Sequence, residues 1–389
     1  MTRFVGVLSF VLACATACAL GGHDDPSGLA RPNVPDSDPD AGTSPITPPE
    51  TPDAGCGQFC GQTFLHEIDD PPNLYFLVDR SGSMSVPIPT LSKYKTARKV
   101  LGELLTVIGH RVSFGATIFP TDEGTCGPGQ EIFPPTLGGL PPCDGSLDPT
   151  VASFLNAFGA HAPTGETPTY GALLDLRPEL EALQGDTYLV LITDGAPNCN
   201  EPDAVCDAST CIDSIEGDSF GQLTCSATFN CCDPANTVAG AGSDCIDADR
   251  TSGEIAKLAA HGIPTYVVGM PGAEPFANVL NGFAEAGGTA RQGDVEYYAT
   301  EDEDELQAAL YAIGTGVAIR CSIDLDAPPD DPNQVNVYFD GVLVPADPTD
   351  GWSWSGDTTI QVNGAACDEL KSGSVIDARA VFGCDTVVR

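Results

Sequence analysis

Positive charge is scarce in this chain. Of its 389 residues, Lys and Arg supply 16 against 55 Asp and Glu, a formal net charge of −39 at pH 7. A surface this acidic repels phosphate backbones and anionic headgroups and enriches divalent cations around it, which excludes nucleic acid as a partner. Histidine is sparse as well. The five (His23, His66, His110, His161 and His261) are scattered, and H-E-x-x-H does not occur. With no nucleophile set beside a base, the expectation is a protein that is not an enzyme. Long apolar runs are also missing: the stretch from Phe4 to Ala13 is too short for a membrane span.

Cysteine, in contrast, is abundant. Sixteen in one chain are more than a reducing compartment tolerates, so disulfides are expected. The opening "MTRFVGVLSFVLACATACALGG" has an early arginine, an apolar stretch and small residues before Cys14 and Cys18. That pattern is a signal peptide, assigned to residues 1–17. A small residue before a cysteine at the end of the apolar run resembles the bacterial lipoprotein processing site, where the cysteine becomes the lipidated first residue. Cutting before Cys18 leaves fourteen other cysteines, an even number, whereas cutting before Cys14 strands one more thiol. Cys18 is therefore the expected lipidation site, and a lipid anchor the only membrane contact. Ala19 after it fits an outer-membrane or cell-surface location, with cleavage elsewhere and full secretion as the alternative.

Residues 18–55 hold the anchor and a Pro-, Asp- and Ser-rich stretch that has little to bury and reads as a disordered tether. Its "DSDPDAG" (36–42) alternates Asp like a Ca²⁺ loop but has Ala41 where the turn glycine belongs, so linker is the better reading. Beyond Cys60 the texture changes. "NLYFLVD" (73–79), "RVSFGATIF" (111–119), "TYLVLITD" (187–194) and "IPTYVVGM" (263–270) read as buried strands, with "VEYYAT" (295–300) a short one and "QEIFPPT" (130–136) a proline-bearing edge. Between them, segments at 92–109, 149–161, 167–184, 276–286 and 301–318 have helical spacing, the first with its Lys and Arg on the outer face. Strands alternating with helices predict an α/β fold: a Rossmann-like, doubly wound, mostly parallel sheet covered on both faces. From Cys321 the pattern becomes β-rich, with "VNVYF-DG-VLV" a hairpin, so 56–320 and 321–389 are assigned to a main domain and a small C-terminal module.

In an open α/β sheet, ligand groups gather at the carboxyl ends of strands. "DRSGSM" (79–84) follows one apolar run, "TDG" ends another, and "TGETPT" (164–169) leads into a helix. Asp79, Ser81, Ser83, Thr167 and Asp194 thus offer two carboxylates and three hydroxyls without sulfur or imidazole, a set suited to Mg²⁺ or Mn²⁺. Gly82 is expected to allow a tight turn, and Arg80 and Met84 to form the rim, with Arg80 solvated. The D-x-S-x-S run, the G-x-T-P loop and the T-D-G strand end, in that order, resemble the von Willebrand factor type A domain with its metal-ion-dependent adhesion site. The resemblance covers roughly residues 73 to 318. It implies that the serines and Thr167 ligate the metal directly and that the carboxylates do so directly or through water. It also implies one coordination position open for an acidic side chain of a partner protein.

Residues 195–250 form a long insert with seven cysteines: Cys199, Cys206, Cys211, Cys225, Cys231, Cys232 and Cys245. Disulfides take the place of a core in such a segment. Seven is odd, so at least one must pair outside the insert or remain free, and Cys126 is a candidate outside partner. The insert leaves the end of the Asp194 strand, so it should form a wall of the site. Its ten acids face no Lys or Arg before Arg250, and read as a solvated acidic loop or as Ca²⁺ ligands. Two functions stand at this point. One is a surface protein that captures a protein ligand through a bound metal. The other is a structural envelope-assembly component in which the metal site is incidental.

Overall fold

The computed structural model describes residues 62–65 and 71–388, apart from 122–125, 127, 141, 143–145, 237–241, 326, 373–374 and 376–377. The signal peptide, Cys18 and the 36–42 stretch lie outside the described residues. The first strand, β1 (Gln62–Leu65), belongs to a sheet completed by the C-terminal residues. The main sheet then builds from β2 (Asn73–Asp79), β3 (Ser113–Phe119), β4 (Gln130–Leu137), β5 (Thr187–Thr193), β6 (Thr265–Gly269) and β7 (Tyr298–Ala299). Their order across the sheet is β7-β6-β5-β2-β3-β4. All pairings are parallel except β3 with β4, whose prolines stand on the edge as expected.

Read in chain order, these six strands run third, second, first, fourth, fifth, sixth. That is the doubly wound arrangement, and its direction of winding reverses between β2 and β5. The helices explain why β2 is apolar on both sides. Leu74, Phe76 and Val78 pack under α1 (Lys93–Ile108), α2 (Pro149–Gly159) and α7 (Glu303–Ala318). Tyr75 and Leu77 pack under α3 (Thr169–Glu181), α5 (Ala248–Ala260) and α6 (Ala277–Ala286). The helix starts are chemically marked. Asp148 accepts from the N–H groups of Thr150 and Val151, and Asp302 accepts from that of Glu305, so the acidic run at 301–305 caps α7 and favours its dipole.

The C-terminal module holds β8 (Ser322–Asp324), β9 (Val335–Phe339), β10 (Val342–Val344), β11 (Trp352–Trp354), β12 (Thr359–Val362), α8 (Gly364–Lys371) and β13 (Ala378–Phe382). Asp340 and Gly341 join β9 to β10 with φ of 46° and 80°, the two positive values that a two-residue hairpin turn needs. β13 pairs with both β9 and β1, so chain ends far apart in sequence share one sheet. This places 62–65 with the module, although the sequence pattern groups them with the main domain. The apolar residues of the module, such as Val335, Trp352 and Ile360, continue the core under α1 and α7. A disulfide between Cys321 and Cys367 ties the approach to β8 to α8.

Candidate cation site at the sheet switch point

Asp79 is the last residue of β2 and Asp194 follows β5, so the two carboxylates flank the point where the winding reverses. Both are buried, with 0% and 3% of their surface exposed. Asp79 is held by two donors: the Ser81 N–H at 2.7 Å on Oδ1 and the Thr193 hydroxyl at 2.6 Å on Oδ2. Asp194 accepts from the Ser83 hydroxyl at 2.8 Å and from the Lys93 ammonium at 2.6 Å. The Ser81 and Ser83 hydroxyls lie 3.0 Å apart. Four of the five residues singled out from the sequence therefore belong to one hydrogen-bonded cluster.

Thr167 enters through the backbone. The Thr164 N–H donates to the Arg80 carbonyl at 2.7 Å, and the Gly82 N–H donates to the Gly165 carbonyl at 3.0 Å. These two bonds lay the 164–167 loop against the 80–82 loop. Asn198 fixes the other side, accepting from the Thr167 N–H at 2.7 Å and donating its own N–H to the Thr167 carbonyl at 3.1 Å. The left-handed glycine here is Gly165, at φ 77°. Gly82 has no such φ, and a Cβ on it would meet its nearest neighbour at 3.6 Å, so the turn after Ser81 does not require glycine. The tight geometry comes instead from a 3₁₀ turn over Gly82–Ser85.

Two other expectations are corrected. Met84 is fully buried rather than on the rim. Arg80 is buried too, at 5% exposure, and donates to the carbonyls of Pro120 at 2.5 Å, Ala162 at 2.8 Å and Thr121. Its guanidinium ties its own loop to two others, at 120–121 and at 162, which a five-donor fork does well and a solvated side chain does not do at all. Lys93 is likewise turned inward, unlike the outer-face lysines of α1.

The residues that sequence reasoning missed are Lys93, Thr193 and Asn198. Thr193 had a visible signal, since it precedes Asp194 directly at a strand end. Lys93 and Asn198 had none, because each reaches the site from a segment whose approach only folding creates.

The charges at this site are unbalanced. Burial, and after it the neighbouring Asp194 charge, pushes the Asp79 carboxyl above the usual carboxylate range. With both carboxylates ionised, the one ammonium of Lys93 offsets only one of the two charges. The remaining donors are hydroxyl oxygens, and Ser83 keeps lone pairs after giving its proton to Asp194. An all-oxygen donor set with two buried carboxylates fits a hard divalent cation.

The insert stands beside this cluster. Cys126 is bonded to Cys199, so the odd cysteine of the insert is paired with the loop after β3. The others pair as Cys206–Cys245, Cys211–Cys232 and Cys225–Cys231. Between them lies a short helix, α4 (Ile212–Glu216). The Glu216 carboxyl is pushed up first by desolvation and then by the negative charges of Asp218 and Asp194, with Lys93 acting in the opposite direction. The insert therefore reaches the electrostatic surroundings of the site from two directions, through Asn198 and through α4.

No protein-family model matches the chain. Among curated proteins it is 27% identical over 141 residues to the uncharacterized protein YwmC of Bacillus subtilis strain 168, a match spanning 34% of this chain and 58% of that protein. Among solved structures it is similar to the pilus adhesin SpaC from Lactobacillus rhamnosus GG, at 15% identity and a TM-score of 0.44, over 81% of this chain and 39% of that one. It is also similar to the vWF domain of the type V pili tip protein Mfa5 from Porphyromonas gingivalis, at 11% identity and a TM-score of 0.41, over 64% and 97%. A third likeness is to a von Willebrand factor type A protein from Catenulispora acidiphila, at 13% and 0.40, over 82% and 60%. The chain thus spans less than two thirds of the curated relative it matches and less than half of SpaC.

Proposed function

We propose that this chain is a cell-surface or secreted binding protein that holds a divalent cation, Mg²⁺ by the hardness of its donors, and captures a protein ligand through it. The observation that supports this reading is the convergence of Asp79, Ser81, Ser83, Asp194 and the Thr167 loop at one switch point, with more buried negative charge than Lys93 offsets. Asp79, Ser81, Ser83, Thr167 and Asp194 would hold the ion. When bound, such an ion supplies a Lewis-acidic position that an acidic side chain of a partner can fill.

The chain's own residues do the rest. Thr193 and the Ser81 N–H hold the Asp79 carboxylate in place, so it cannot turn away to solvent. Asn198 and the 164–167 backbone bonds set the position of Thr167. The disulfide-bonded insert, rising from the same strand end, gives the site a wall that can select among partners. Its cross-links also support an oxidising, extracytoplasmic setting. Binding without bond breaking is the proposed activity.

The test is calorimetric titration of Mg²⁺ and Mn²⁺ into EDTA-stripped protein, beside Asp79→Ala and Thr167→Ala variants. One saturable site lost in both variants is the expected result. No site in the wild-type protein, or one that survives both changes, would overturn the reading. The structural-assembly reading draws support from the Lys93–Asp194 pair, which satisfies Asp194 without any metal. Under that reading, chelation leaves assembly of the protein intact, whereas metal-bridged capture is lost with the ion.

A further inference from the structure

Lys93 stands in an unusual place for a lysine. It is the first residue of α1, where the positive end of the helix dipole opposes a cation. Its side chain is 7% exposed, yet lysine is rarely buried without a partner. The pocket around it is made to measure. Gly272, at φ 107°, follows β6, and a Cβ on it would come within 3.0 Å of the Lys93 Nζ. The ammonium fills that space and points at Asp194 Oδ2, 2.6 Å away, while Ser83 takes Oδ1. Local helix chemistry does not favour this arrangement. The carboxylate does.

We propose that Lys93 is a built-in competitor of the divalent cation: its ammonium neutralises Asp194 when the ion is absent and sets a low metal affinity when it is present. The inference rests on the metal reading of this site. Its physical basis is charge. A divalent ion held by Asp194 sits in the field of a second cation that the buried surroundings screen poorly. Metal entry must therefore weaken or displace the Lys93–Asp194 pair. The consequence is a site that keeps Asp194 paired at low metal and loads only when the cation is plentiful.

The experiment compares wild-type protein with Lys93→Met and Lys93→Gln. The first removes charge and hydrogen bond; the second keeps a neutral donor for Asp194. Mg²⁺ affinity is measured by calorimetry on EDTA-stripped protein, and melting temperature in EDTA and in saturating Mg²⁺. Both variants should bind Mg²⁺ at least about tenfold more tightly than wild type. Both should melt lower in EDTA and gain more from Mg²⁺ than the wild type does. Should Lys93→Met fail to fold in EDTA, Lys93→Gln carries the comparison. Variants that bind while the wild type does not would also support the proposal, with the ammonium as the dominant occupant. Affinity unchanged or weakened in both, with the wild type still binding, would overturn the competitor role and leave the metal reading standing. Absence of binding in all three proteins would overturn both.

Discussion

Asn198 and Thr167 are bonded to each other twice, through the Thr167 N–H to the Asn198 side chain at 2.7 Å and through the Asn198 N–H to the Thr167 carbonyl at 3.1 Å. A residue of the insert thereby sets the position of a residue of the candidate cation site. The Asn198 amide also donates to Glu166 at 2.7 Å, so its orientation is itself determined. Groups that orient ligands without touching the metal matter to affinity nearly as much as the ligands. Asn198→Ala should lower Mg²⁺ affinity by about tenfold or more. An unchanged circular dichroism spectrum would accompany it, and calorimetry checks the affinity.

Arg80 supports the loops around the site instead of meeting solvent. Removing it takes the donor from the buried carbonyl of Pro120 and from the more accessible carbonyls of Thr121 and Ala162. Arg80→Met should cost about 1–3 kcal/mol in denaturant unfolding. Arg80→Lys should recover little of this, since a single ammonium does not reproduce a planar fork. Full rescue by lysine would mean that only the charge matters.

The insert also responds to pH. Burial raises the Asp213 carboxyl to about 6, with the charges of Asp218 and Glu166 adding to it. Burial likewise raises Asp244 to about 7, followed by the charges of Asp213, Glu166 and Asp218. Asp213 is 8% exposed, and its Oδ2 has no hydrogen-bond partner. Each carboxyl binds its proton more tightly in the fold than in the unfolded chain, where its value is near 4. Their contribution to stability is therefore full below about pH 4 and is lost as pH rises to about 7. In EDTA, the double variant Asp213→Asn, Asp244→Asn should melt higher than wild type at pH 8, with the difference shrinking at pH 4. Thermal scans at the two pH values test this, and a difference independent of pH would argue against it.

The Cys126–Cys199 bond closes a span of 73 residues around the Thr167 loop. By loop entropy, such a cross-link contributes about 4 kcal/mol. Replacing both cysteines with serine should lower stability by up to that amount and weaken Mg²⁺ binding, because Cys199 adjoins Asn198. Peptide mapping of unreduced protein should recover the 126–199 pair alongside 206–245, 211–232 and 225–231. Recovery of a free Cys126 thiol would contradict the arrangement.

Much of this architecture was legible in the residues themselves. Buried strands such as β2 and β5 are continuous apolar runs because both faces are covered, and their short length argues for strand. The prolines of β4 lack the N–H that a central strand must donate, which confines it to the edge, and Asp340–Gly341 marked the hairpin. Odd cysteine arithmetic left one thiol of the insert either free or paired outside it, and Cys126 is that outside partner. Asp79, Ser81, Ser83 and Asp194 were readable because strand ends in a doubly wound sheet converge, so local position along the chain implies position in space.

Tertiary structure decided the rest, and always for the same reason: the deciding contact joins segments whose order in the chain says nothing of their distance. Lys93 looks like one more basic residue on an amphipathic helix until Asp194 and the space at Gly272 turn it inward. Arg80 looks solvated until two loops close over it. β1 reads as the start of the main domain, yet it pairs with β13 because the free edge of that strand is what the fold offers it. Periodicity and strand-end chemistry are local and survive in the sequence. Charge balance in a buried site depends on every segment that meets there, and only the folded chain brings them together.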